Sequence, residues 1–157
     1  MRWKLIVLLS TALFVLPLTI VAASAETHEV LMLNKDPNDK KKRNVFIPAV
    51  IRIKPGDTVK FVSGDKGHNT ESMKGMIPEG AKPWKSKVSK DFELTFDKPG
   101  VYGYRCTPHY TLGMVGIVIV EGEGWDANLE AAMGVKQRGK SKKILEGLWA
   151  EVDNLMQ

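Results

Sequence analysis

Between His28 and about Gly122 the chain repeats one device: a short run with β-branched or aromatic residues at every second position, closed by turn-forming residues. Val50-Ile51-Arg52-Ile53 runs into Lys54-Pro55-Gly56-Asp57, and Thr58-Val59-Lys60-Phe61-Val62 follows at once. Phe92, Leu94 and Phe96 alternate until Asp97-Lys98-Pro99-Gly100 breaks the run. Tyr102, Tyr104 and Cys106 then share one parity, against Val101, Gly103 and Arg105. A period of two places alternate side chains on opposite faces of a strand, and Pro-Gly pairs turn the backbone. The last run, Val115 to Val120, is apolar throughout and bounded by glycine-rich sequence. No convincing amphipathic helix interrupts this span, so the pattern predicts an all-β sandwich of about seven or eight strands.

After Gly124 the character changes. Asp126 to Met133 is alanine-rich and helical in propensity, Gly134 to Gly139 is a break, and Ser141 is placed to cap a second helix running to about Met156. In that helix Leu145, Leu148, Val152 and Leu155 form one apolar stripe, which is expected to pack on the outside of the sandwich. The polar stretch from Asn34 to Asn44, with Lys40-Lys41-Lys42-Arg43, has no periodicity and reads as a solvated loop.

The first residues set Arg2 and Lys4 before an apolar run from Leu5 to Ala23, and Ala23-Ser24-Ala25 follows. That order predicts an export signal over residues 1–25, cleaved after Ala25. A retained anchor is the competing reading, because a bilayer span needs about 20 apolar residues; Pro17 and the A-x-A pattern favour processing. Losing Arg2 and Lys4 and no acidic residue takes the formal charge from +5 to +3. So mild a balance, without an arginine-rich cluster, argues against a nucleic-acid partner. It suits a partner with an acidic docking surface.

An exported protein with one cysteine cannot close an internal disulfide. That cysteine opens the stretch CTPHYTLGM, Cys106 to Met114, in which Cys106, His109 and Met114 follow a CxxHxxxxM pattern. Thiolate and imidazole, with a weak thioether, are the ligand types of a redox-active copper site. Taken singly, Met114 reads as core filler, His109 has the alternative of a surface turn residue, and Cys106 is undecided between an inert buried thiol and a ligand. Together they lie on one loop between two strands, preset by Pro108 and Gly113. A second imidazole has to come from His28, at the start of the first strand, or from His68, in Asp65-Lys66-Gly67-His68-Asn69 after a predicted strand. His68 is the better placed.

CTPHYTLGM, the upstream KGHNTESMKGMIPEG from Lys66 to Gly80, the KPGDTV turn and the strand ending in MLNK resemble the pseudoazurin family, type 1 blue copper proteins of the cupredoxin fold. The likeness extends over nearly the whole mature chain, including two C-terminal helices. It implies a Greek-key sandwich of about eight strands over residues 26–124, with residues 125–157 as a helical extension packed on it. It also implies one copper ion cycling between Cu(II) and Cu(I), held by His68, Cys106 and His109 with Met114 as a long axial ligand. Asn69 would tie the two ligand loops together, and the backbone amide of Asn34 would donate to the thiolate sulfur. The implied protein is no enzyme but a monomeric periplasmic electron carrier, off the membrane once its signal is cleaved.

Its acceptor would be a denitrification reductase, copper nitrite reductase or nitrous oxide reductase; the alternatives are another periplasmic oxidoreductase such as an amine dehydrogenase, or copper delivery or storage. Redox partners would dock on an apolar patch around His109, from Pro48, Met76, Ile77, Pro78, Pro108 and Leu112. Lys66, Lys74, Lys82, Lys85 and Lys87 would ring that patch. Thr111 and Leu112 depart from the usual family loop.

Overall fold

A computed structural model describes residues 24–156; nearly all of the expected signal segment, residues 1–23, lies outside the described residues. Eight strands follow in order: β1 (Thr27–Lys35), β2 (Arg43–Ile47), β3 (Val50–Ile53), β4 (Asp57–Val62), β5 (Glu71–Ser72), β6 (Phe92–Phe96), β7 (Gly100–Arg105) and β8 (Val115–Val120). They form two four-stranded sheets, ordered β2-β1-β4-β6 and β3-β8-β7-β5. Pairing is antiparallel except for β1 with β4 and β3 with β8. Two helices, α1 (Leu129–Met133) and α2 (Ser141–Leu155), come last. This is the mixed β-sandwich of a cupredoxin, with the expected pair of helices.

The core has two layers, and they explain the sequence patterns. Between the sheets, Val30, Met32, Phe46, Val59, Phe61, Trp84, Phe96, Tyr102, Tyr104 and Cys106 pack together with Val118 and Val120. Phe46 and Phe61 each meet the Tyr104 ring edge-on, at centroid distances of 4.7 and 5.2 Å. Outside the second sheet, Val115, Ile117 and Ile119 pack with Leu145, Leu148, Trp149 and Val152 of α2. β8 does not alternate because both its faces are covered, one by the opposite sheet and one by the helix. Cys106 shares the inward parity of Tyr102 and Tyr104, so the strand delivers its thiol into the sandwich at the end where the ligand loops lie.

Three local readings need correction. The polar stretch is shorter than its composition suggested, since Asn34 and Lys35 close β1 and Arg43 opens β2, leaving a tight connection between them. Leu155 ends the apolar stripe of α2 but is 39% exposed, and Trp149 takes the buried place instead. Ser141 does not cap α2; its hydroxyl donates to the Tyr110 carbonyl, on the ligand loop.

Asp57 opens β4 at 3% exposure and accepts from the backbone N–H of Glu26 (2.8 Å) and of Lys54 (2.9 Å) and from His28 Nε2 (3.0 Å). The two backbone donors, helped by His28, hold its carboxyl down at about 2 against an ordinary 3.8, despite burial. A depressed carboxyl contributes stability above its unfolded value and loses it as pH falls through the folded one. The copper-free protein should therefore lose roughly 2 kcal/mol of unfolding free energy between about pH 4 and pH 2. Denaturant titration across that window checks it, and Asp57→Asn should flatten the slope.

Candidate metal centre

His68 lies on the connection from β4 to β5, Cys106 is the first residue beyond β7, and His109 follows on the β7–β8 loop just before a single 3₁₀ turn, Tyr110–Leu112. The loop closes on itself: the Cys106 N–H donates to the Met114 carbonyl (3.0 Å), and the N–H groups of Leu112 (3.1 Å) and Met114 (3.2 Å) both donate to the His109 carbonyl. Cys106 Sγ stands 3.8 Å from His68 Nδ1 and 3.5 Å from His109 Nδ1, and the two nitrogens are 3.1 Å apart. Among the described residues, these three make the one group of three or more His, Cys, Asp or Glu side chains close enough to share an ion. His28 stands apart, bonded to Asp57.

The spacing fits a metal. A point equidistant from the three donor atoms lies about 2.0 Å from each, against metal–nitrogen and metal–sulfur bonds of about 2.0–2.3 Å. Ligand orientation fits as well. His68 Nε2 donates to Asn34 Oδ1 at 3.0 Å, which places the proton on Nε2 and leaves the Nδ1 lone pair facing the thiol and His109. His68 and Cys106 are fully buried, whereas His109 is partly exposed.

Burial disfavours charge on His68 and on Cys106. Burial, and next the neighbouring His109, push the His68 imidazole below its ordinary pKa. Burial pushes the Cys106 thiol up, opposed by the backbone N–H groups of Asn69 and His109. The expectation for Asn34 needs correction, since its backbone N–H goes to the Asp65 carboxylate at 2.7 Å and not to sulfur. Asn34 sits at the end of β1 and supports His68 through its side chain instead. Asn69 does join the ligand loops: its Oδ1 accepts from the Thr107 N–H (2.8 Å), while Nδ2 donates to Thr107 Oγ1 (3.1 Å) and to the Ser86 carbonyl (3.3 Å).

Glu71 was not singled out by sequence, yet it reaches the same joint. Its carboxylate accepts the Thr107 hydroxyl (2.8 Å) and pairs with Arg105 (3.2 Å) and Lys85 (3.3 Å). Its only sequence signal was its nearness to His68.

Residues 34–121 match the family model described as copper binding proteins, plastocyanin/azurin family. Pseudoazurin from Methylorubrum extorquens is 46% identical over 85% of this chain and 87% of its own length, and pseudoazurin from Paracoccus pantotrophus is 43% identical over 82% and 86%. The chain belongs to the pseudoazurin family. A solved Sinorhizobium pseudoazurin superposes with a TM-score of 0.75 at 49% identity, covering 81% of this chain and 96% of that one. Within the pseudoazurin frame the His68, Cys106 and His109 cluster is consistent with a type 1 mononuclear copper site. The family consists of electron carriers rather than enzymes.

The surface residues expected around a pseudoazurin docking patch separate into two sets. Pro48, Pro108 and Leu112 are exposed, Leu112 by 50%. Met76 and Pro78 are buried and cannot line a surface. Met76 packs on Gly103 in mid-β7 and Pro78 on Gly100 at the end of β7 remote from Cys106. Ile77 packs partly against the inter-sheet core. All five lysines are exposed, but Lys85 is engaged by Glu71.

Proposed function

We propose that this chain carries single electrons between periplasmic redox proteins, with a denitrification reductase as its acceptor. The observation that carries the reading is the buried His68–Cys106–His109 triangle, whose partly exposed corner is His109. Bound copper supplies a one-electron couple between Cu(II) and Cu(I). The chain's residues hold their donors at fixed spacing, keep water from His68 and Cys106, and offer the His109 edge as the exit. Met114 would supply a weak thioether donor in this reading; its complete burial and its backbone bonds to Cys106 and His109 support that role. Copper(II) added to the purified protein should give an intense blue colour, reversibly bleached by one-electron reductants. A colourless protein with intact Cys106 would reject the reading, and turnover of candidate reductases with this protein as sole donor would identify the acceptor.

Export fits the environment of Glu26. Cleavage after Ala25 would make the Glu26 nitrogen an α-ammonium, 2.8 Å from the buried Asp57 carboxylate, a charge-assisted bond. The mass of protein recovered from the periplasm tests this; a retained signal would contradict it.

Docking on the His109 face would use Pro48, Pro108 and Leu112 with surrounding cations such as Lys66 and Lys87. Such contacts are small and depend on charge for their rate. Bimolecular electron transfer should slow several-fold from low to high ionic strength, and further in Lys66→Glu. A salt-independent rate would remove the lysines from the docking account.

A further inference from the structure

The loop that carries Cys106, His109 and Met114 is held from two sides. The sandwich grips its first half through Asn69 and Thr107. Its second half, Tyr110 to Gly113, meets the segment that leads into α2. The Tyr110 hydroxyl donates to Gln137 Oε1 (2.9 Å) and accepts from the Arg138 N–H (3.3 Å). The Ser141 hydroxyl donates to the Tyr110 carbonyl, and the Lys140 N–H donates to the Thr111 carbonyl (2.9 Å). Gly139 fits at this point because it has no side chain. At φ +59° its backbone presses on Thr111 so closely that a Cβ would lie 2.4 Å from the Thr111 carbonyl oxygen.

We propose that Gln137–Ser141 is a positioning strap that fixes the outer half of the metal loop, and with it His109, before any metal arrives. The inference rests on the copper reading for its purpose but not for its geometry. Both ends of the strap are secured. Gln137 Nε2 donates to the Val135 carbonyl (2.9 Å), while the fully buried Ser141 opens α2, whose Leu145 packs with Val115, Ile117 and Ile119 of β8. Tyr110 is also held from its ring face, where the Arg105 guanidinium lies 5.0 Å from the centroid. Displacement at Thr111 reaches the ligands directly, since the next residue donates to the His109 carbonyl and so does Met114. The helical extension therefore does more than cover the sheet. It preorganises a ligand loop, which lowers the conformational cost of binding and limits ligand movement when the metal changes charge.

Three variants test this: Tyr110→Phe, which removes only the hydroxyl bonds; Gly139→Ala, which forces the strap off Thr111; and Leu148→Ala, which loosens α2 away from the loop. Amide hydrogen exchange of Leu112, Gly113 and Met114 is read in the copper-free protein, and copper loss to a chelator in the loaded protein. Tyr110→Phe and Gly139→Ala should accelerate exchange at those amides beyond their effect on the rest of the chain. They should also speed copper loss about 10-fold, the scale on which residues supporting metal ligands act. Leu148→Ala should lower global stability without that local signature. The strap is overturned if the first two variants match Leu148→Ala in both readouts at equal loss of stability. Exchange without copper does not depend on the copper reading. A colourless protein with strap-dependent protection would reject the function and keep the strap, while a blue protein without it would do the reverse.

Discussion

Serine in place of Cys106 will abolish the intense visible absorption of the copper-loaded protein while leaving the fold intact. The colour requires charge transfer from a thiolate, and Cys106 is the chain's one cysteine. A serine hydroxyl is a hard donor that does not ionise under the same conditions, so His68 and His109 are left without the soft partner that distinguishes a type 1 site. Structural damage should be small. The position is fully buried, but a hydroxyl is close in size to the thiol and keeps the imidazole nitrogens of His68 and His109 beside it, so the cost should stay at about 1 kcal/mol. The same burial raises the thiol's pKa in the copper-free protein, so metal uptake must release its proton and should weaken as pH falls. Copper(II) titration followed by absorption, with circular dichroism as the folding control, reads both effects. An intense band surviving in Cys106→Ser would show that the colour does not arise from this thiolate.

What the sequence made legible was whatever rests on period or on neighbouring residues. The shared parity of Tyr102, Tyr104 and Cys106 put the thiol on the same face as two aromatic rings, and that face turns into the sandwich. The six apolar residues of β8 announced two covered faces, and the tail's stripe at Leu145, Leu148 and Val152 supplied one cover. Three of the expected ligands lie in one nine-residue stretch and form a visible pattern, and the turn-flanked position of His68 after a predicted strand already favoured it over His28.

The supporting bonds were less legible because they join residues far apart in sequence. Asn34 reaches His68 across 34 positions by its side chain, and its backbone amide is already taken by Asp65. Met76 and Pro78 look like surface residues of a polar loop, yet Gly103 and Gly100 leave room on β7 that they fill. Ser141 carries the usual chemistry of a helix cap, but the Tyr110 carbonyl, 31 residues away, competes successfully for its hydroxyl. Each of these depends on which loops the sandwich brings to the same place, and periodicity is silent about that.

Asn69→Ala should be the most damaging single change that leaves all four expected ligands in place. One amide side chain bridges the ligand loops with three hydrogen bonds, two to Thr107 and one to the Ser86 carbonyl, at 1% exposure. Alanine removes both donors and the acceptor and leaves the Thr107 N–H and the Ser86 carbonyl without Asn69, a loss of roughly 3 kcal/mol by the usual cost of stranding buried partners. Thr107 Oγ1 keeps its bond to Glu71, so the loop is weakened and not released outright. Copper retention should fall about 10- to 100-fold, as when other residues that orient ligands are lost. Asn69→Asp separates the two contributions: it keeps the acceptor for the Thr107 N–H, loses the Nδ2 donors and adds a negative charge beside the thiolate. That charge favours the more positive metal ion, so the aspartate variant should recover part of the stability and show a lowered reduction potential, a shift that alanine cannot produce by electrostatics. Denaturant unfolding of the copper-free protein, chelator competition and potentiometry measure the three quantities. An alanine variant as stable as the parent would mean that Asn69 does not hold the ligand loops together.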